Sequence, residues 1–287
     1  MTHAAHPYDG VAIAIATLHG KAGALAQAFA AVGARLQHAT GVDTDALGTF
    51  SGEVPRSRSA LDTAIEKARL GMRATGLPVG IATEGSFGPD PVFGIVPLHR
   101  EVIVLVDDRH GSVVVETLAT HDSNFGGRTL GAGEMPGADD LARWRFPSHA
   151  LIVRPEPLAG GGTLHKALQD VDALHRAIEA ARRASPSGQV RVETDMRAHL
   201  NPTRMAHIAA LGERLVQRLA CRCASCGAPG FGLVDRRPGL PCAGCGLPTA
   251  LARAEVHGCP ACGILVERPR ADGLTAADPG HCDSCNP

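Results

Sequence analysis

Apolar and polar residues along the first ninety positions change period several times, and the changes mark elements. Val11 to Ala16 is apolar throughout, as expected of a strand covered on both faces. Thr17 to Lys21 reads as a turn and Ala22 to Val32 as a helix. From Ser59 the period is helical: Leu61, Ile65, Ala68 and Met72 recur at spacings of four, three and four and line one face. Ser59 lies three residues before Asp62, a capping-box-like start, and Gly76 is the stop. Leu77 to Ala82 is a short apolar run that predicts a buried strand, emptying into a tight turn at Thr83-Glu84-Gly85-Ser86. Glu84 is then placed for chemistry, because ligands of open α/β sheets gather at the carboxyl ends of strands.

Glu101 to Val106 and Ser112 to Leu118 are β-rich runs joined by Asp107-Asp108-Arg109-His110-Gly111, the pattern of a hairpin. Turn aspartates such as Asp107 and Asp108 bond their own backbone more readily than a metal. Gly41 to Arg58, with Asp43, Asp45 and Glu53, reads as loop, and glycine-rich Ala119 to Gly133 as a mobile loop over a site. Ala138 to Arg143 predicts a short helix and Ala150 to Val153 a buried strand. Pro155 to Gly162, with two prolines and three consecutive glycines, marks a boundary. Beyond it Leu164, Leu168, Val171, Leu174 and Ile178 predict one helix over 164–184.

Val190 to Asn201 alternates. Arg191, Glu193, Asp195, Arg197, His199 and Asn201 share one side, so an extended chain would bring them together either as a second site or as a solvated, ion-paired face. Asn201-Pro202 is a helix start, and Met205, Ile208, Leu211, Leu215 and Leu219 are its core face.

Composition narrows the function classes. With 28 basic and 29 acidic residues and 3% aromatic content, the chain offers neither a cationic field nor a stacking surface, so no nucleic-acid partner is expected. No run approaches the roughly 20 apolar residues of a spanning helix and the first ten residues carry no signal-like pattern, so no membrane partner and a cytoplasmic location are expected. A homo-oligomer stays open.

The nine cysteines all fall in the last 67 residues, and eight form Cys-x-x-Cys knuckles. Cys223-Cys226 is followed after fifteen residues by Cys242-Cys245, and Cys259-Cys262 after nineteen by Cys282-Cys285. Four thiolates at this spacing make a tetrahedral zinc site. Two structural zinc ions are therefore expected, one on Cys223, Cys226, Cys242 and Cys245, the other on Cys259, Cys262, Cys282 and Cys285. Glycine follows the first three knuckles, where the backbone folds round the metal. Cys221 is left over as a spare ligand or a buried thiol. Around the knuckles six basic residues balance six acidic ones, which favours a structural cap or protein-interaction module.

Asp62-Thr63-Ala64-Ile65-Glu66-Lys67-Ala68-Arg69, followed by Ile81-Ala82-Thr83-Glu84-Gly85-Ser86, resembles the signature of the non-standard purine nucleotide pyrophosphatases, the inosine and xanthosine triphosphate pyrophosphatases with the Maf-type proteins. Thr17 to Lys21 and Ser51-Gly52-Glu53-Val54-Pro55 are similar to two further motifs of that superfamily. Thr83 stands where it frequently has an acid. Nearly the whole chain is also similar to a bacterial family of unknown function, through Glu84 to Pro89, Glu193 to Met205 and the cysteine tail.

The expected fold is thus α/β, with a mixed-sheet pyrophosphatase-like domain over 1–154, a small α/β extension over 155–220 and a pair of zinc ribbons over 221–287. The resemblance implies a magnesium-dependent hydrolase or binder of a nucleotide or phosphorylated small molecule. Asp62 and Glu84 would hold Mg2+, while Lys21 and Lys67 would hold phosphates; if the alternating face over 190–201 is a second site, its Arg197 would bind phosphate as well. Separately, the start of the first helix beside Lys21 is an anion site on physical grounds. The other reading is a non-catalytic zinc-ribbon adaptor or regulator, with Asp62 only a cap and Glu84 only a turn acid.

Overall fold

The structure, a computed structural model, describes residues 5–44, 58–157 and 163–287. Asp45, Glu53 and the Ser51 to Pro55 motif lie outside the described residues. The chain begins β1 (Ala12–Ile15), α1 (Lys21–Ala30), β2 (Arg35–His38), α2 (Ala60–Thr75), β3 (Val79–Pro89), β4 (Pro97–Asp107) and β5 (Ser112–Thr120). The strands form one sheet in the order β2-β1-β3-β4-β5. β1 is parallel to both its neighbours, whereas β3, β4 and β5 are antiparallel, so the sheet is mixed as expected.

Side chains of period two divide this sheet by size. Ile13, Ile15, Ile81, Ile103 and Leu105 face one way and pack with Leu25 and Phe29 of α1. Ala14, Ala82, Val102, Val104 and Val106 face the other way, where α2 brings Ala64, Ala68 and Met72. The Ser59 hydroxyl accepts from the Asp62 N–H at 3.1 Å, and left-handed Gly76 closes α2. Asp107 holds its own turn by accepting from the Arg109 N–H at 2.9 Å.

β3 corrects the sequence reading. It runs on through Thr83, Glu84, Gly85 and Ser86 to Pro89, paired with β4 at every position, so Glu84 lies within a strand and not in a turn. Gly85 serves there for close approach: a Cβ would collide with the Glu101 carboxylate and lie 2.7 Å from Arg204 Nη2.

A second sheet, in the order β6-β9-β7-β8, contains β6 (Gly127–Leu130), β7 (Leu151–Glu156), β8 (His165–Leu168) and β9 (Gln189–Thr194). Short α3 (Ala138–Arg143) follows β6, and α4 (Val171–Ala184) covers the sheet with Leu174, Ala177, Ile178 and Ala181. Three expectations change here. The loop expected over 119–133 contributes β6, and the helix expected from Leu164 is a strand followed by α4, capped by Asp170, whose side chain accepts from Ala173 N–H at 2.8 Å. The boundary expected after residue 154 falls inside β7, and the sheet takes strands from both sides of it.

Helix α5 (Pro202–Ala220) starts at Asn201, whose side chain accepts from the Arg204 N–H at 3.0 Å. It returns to the first sheet, burying Ile208, Leu211, Leu215 and Leu219 with Leu25 and Phe29. The tail follows as the antiparallel meander β10 (Gly232–Pro238), β11 (Ala252–Gly258) and β12 (Leu265–Pro269). Among the described residues no helix is long and apolar enough to cross a membrane.

Candidate functional site

The loop after β1 and the middle of β3 meet at a buried cluster of charge. Lys21 is the first residue of α1, which starts without a side-chain cap. Its ammonium turns inward and donates to the Thr83 carbonyl at 2.9 Å. Burial, together with repulsion from Arg204, lowers its pKa to about 8 against the attraction of Glu101 and Glu84. Lys67 lies on the buried side of α2 and meets Glu84 at 2.7 Å, with side-chain exposures of 10% and 2%. Between them is a cavity of about 20 Å3 lined by Thr17, His19, Lys21, Thr44, Lys67 and Thr83, enough for about one small polar group. The Thr83 hydroxyl is buried without a hydrogen-bond partner among the described residues.

Beside this cavity Arg204 is fully buried and forms a fork on Glu101, with Nε at 2.9 Å from Oε2 and Nη2 at 3.1 Å from Oε1. Its Nη1 donates to the Met196 carbonyl at 2.7 Å, and its guanidinium stands over the Phe87 ring. Burial pushes the Glu101 carboxyl up, but the Arg204 charge, the His99 hydrogen bond and the Lys21 charge outweigh it and hold the group well below the usual carboxylate range. His99 links Glu101 to His207, whose Nδ1 is 3.1 Å from that of His99.

The structure assembles some of the expected site residues and separates others. Lys21, Lys67 and Glu84 come together. Asp62 is exposed and takes a bond from the Ser59 hydroxyl at 2.7 Å. At about 100° per residue it lies roughly 140° round α2 from Lys67. The expected Asp62–Glu84 pair is therefore not formed, and Lys67 supplies the positive charge beside Glu84. Arg197 pairs with fully buried Asp195 at 2.6 Å.

The alternating face over 190–201 also breaks up, because β9 ends at Thr194. Glu193 meets Arg154 and Arg191, Asp195 turns inward to Arg197, and exposed His199 stacks on His19 with centroids 5.0 Å apart. These groups do not share one cleft. Sequence reasoning noted Thr83 only as a departure from the superfamily's acid, and gave no site role to Glu101, His99 or Arg204. A signal existed for two of them: Arg204 precedes Ile208, Leu211 and Leu215 in the apolar stripe of α5, and Glu101 precedes Ile103 and Leu105 on one strand face. A charge in a core stripe needs a buried partner.

In the tail, two clusters gather four sulfurs each within 4.8 Å, and their membership corrects the expected pairing. One contains Cys223, Cys226, Cys259 and Cys262, the other Cys242, Cys245, Cys282 and Cys285. The meander explains the exchange. β10 separates the first knuckle from the second, and β11 runs back to put the third beside the first, a strand length of about 23 Å away. β12 then carries the chain toward the second knuckle, where the fourth completes that cluster.

Contacts between knuckles measure 3.8 Å for Cys223–Cys262, 3.6 Å for Cys226–Cys259, 3.8 Å for Cys242–Cys285 and 3.6 Å for Cys245–Cys282. A tetrahedron with Zn–S near 2.3 Å has edges of about 3.8 Å, so each cluster can hold a zinc ion. Backbone N–H groups of Cys245 and Gly244 favour the Cys242 thiolate and bring its pKa to about 7. Gly227, Gly246 and Gly263 have φ near 75°, the left-handed turn that carries each knuckle past its second cysteine. Cys221 is exposed, neither a ligand nor a buried thiol. Among the described residues these are the only groups of three or more His, Cys, Asp or Glu placed to share an ion.

No curated protein and no solved structure matches the chain. One family profile does, described as Domain of unknown function (DUF6671), over residues 67–287. That span contains Lys67, Glu84, Glu101, Arg204 and both thiolate clusters and begins after Lys21 and Asp62. Covering more than three quarters of the sequence, the match makes this chain a member of the DUF6671 family.

Proposed function

We propose that the chain binds a phosphate-bearing small molecule at the Lys21–Lys67–Thr83 cavity, and that its tail is a structural unit holding two zinc ions. The unpartnered Thr83 hydroxyl carries this reading. A buried polar group without a partner costs about 1–3 kcal/mol. An anion accepting from that hydroxyl would relieve the cost, favoured by two ammonium groups and by the uncapped start of α1. The resemblance to nucleotide pyrophosphatases points to a nucleotide as the phosphate carrier. Magnesium-dependent hydrolysis is the finer branch, with Glu84 exchanging Lys67 for the cation when a polyphosphate enters.

Calorimetry with orthophosphate, pyrophosphate and a nucleoside triphosphate panel, with and without Mg2+, tests both levels. Thr83→Val is expected to lower phosphate affinity at least tenfold without lowering thermal stability. Equal affinity in that variant, or no binding by the parent chain, overturns the binding reading. Phosphate release that vanishes in Glu84→Gln, with zinc content intact, is the result expected of the hydrolytic branch.

A further inference from the structure

A groove of about 850 Å3 opens between the first sheet and the tail, far larger than the lysine cavity and unconnected with its chemistry. One wall is the edge of β5, because the sheet order ends there. Asp107 and Ser112 close the β4–β5 hairpin, and hydrogen-bonded pairs alternate along an antiparallel ladder. The backbone groups of Val113, Val115 and Thr117 therefore point away from β4. The Val115 carbonyl confirms the direction, since it accepts from Arg218 Nη1 on α5 at 2.8 Å. The outward N–H groups of these three residues have no hydrogen-bond partner among the described residues. The opposite wall is the tail, where Val234 and Leu265 are exposed at 50% and 60%.

The groove carries one more arginine than carboxylates. Arg214, Arg218 and Arg236 line it with Glu116 and Asp235. Glu116 is shared between two of them, at 2.9 Å from Arg214 and 3.1 Å from Arg218. Outward N–H groups at every second residue match the carbonyls of an extended chain, apolar walls match its alternate side chains, and the arginine excess matches carboxylates. We infer that this groove is a docking site for an extended acidic segment of another protein, which adds to β5 as a sixth strand. The tail forms the second wall of that site, giving the zinc-held meander a role in recognition as well as in folding.

The test selects random dodecamer peptides displayed on phage against the immobilised full chain, then measures the synthesised winners by fluorescence anisotropy and amide hydrogen exchange. Expected winners alternate apolar residues with Asp or Glu, compete with one another and slow exchange at Val113, Val115 and Thr117. Thr117→Pro removes an outward donor, and Arg236→Glu reverses an exposed charge. Each is expected to weaken binding at least tenfold, with zinc content and circular dichroism unchanged. The inference is overturned if no peptide is enriched, if protection appears elsewhere, or if Arg236→Glu leaves affinity unchanged. It is equally overturned if light scattering of the purified chain finds a dimer in which a second copy already protects β5.

Discussion

Arg204 is the largest fully buried side chain among the described residues, and it survives in the interior because three of its nitrogens have acceptors. Its cost is set by its partner. Removing one member of a buried pair typically costs about 3–5 kcal/mol. Arg204→Met should therefore be strongly destabilising by urea titration, whereas Arg204→Met with Glu101→Leu should recover much of that loss. Gly85→Ala should also destabilise, since its methyl group would enter the space of that same fork.

Lys21 gives a pH signature with a definite sign. Its pKa is about 8 in the folded chain against 10.5 for the free side chain, so the unfolded chain binds more protons between those values. The contribution of Lys21 to stability consequently rises by about 1.4 kcal/mol per pH unit across that window and is constant below it. Subtracting the Lys21→Met stability profile from that of the parent should expose this rise between pH 8 and 10.5. A flat difference would mean that the ammonium is not desolvated.

At the scale of elements, α2 is packed by small residues. A Cβ on Gly80 would lie 2.6 Å from the Ala68 carbonyl oxygen, so the helix sits directly on the strand backbone. Gly80→Ala should cost about 1–3 kcal/mol, the usual range for overpacking, measured as a lower urea midpoint with unchanged slope. The element boundaries that were legible were those with local chemistry: the Ser59 cap, the Gly76 stop and the Asn201-Pro202 start each act within four residues. The 164–184 segment misled because Leu164 and Leu168 fit helical spacing as well as strand pairing. Only the partner strand β7 and the Asp170 cap separate β8 from α4.

For the whole molecule, the zinc stoichiometry of paired variants reads the topology of the tail. With the clusters interleaved, Cys223→Ser with Cys259→Ser should leave one zinc per chain by mass spectrometry of the metal. Cys223→Ser with Cys242→Ser should remove both. Sequential pairing of the knuckles would leave one zinc ion in the second variant and none in the first. Chelation is expected to unfold the meander while α1, α2 and the first sheet keep their own core, because the Cys223, Ala228 and Cys259 cluster is separate from the two that cover that sheet.

The sequence by itself determined the mixed α/β start, the hairpin of β4 and β5, both ends of α2, the start of α5 and the eight thiolates, because periodicity, capping and Cys-x-x-Cys spacing are local properties. Pairing of the knuckles was decided by an antiparallel meander, since neighbours in sequence stand at opposite ends of a strand. Tertiary structure also decided that Asp62 and Glu84 part company, because five helical positions turn Asp62 away from the side that carries Lys67. It placed Arg204 on Glu101, about a hundred residues earlier, and gathered Lys21, Lys67 and Thr83 around one small cavity. A charge on a core stripe announces that a partner exists, but only the fold, by burying both groups in one low-dielectric space, selects which one.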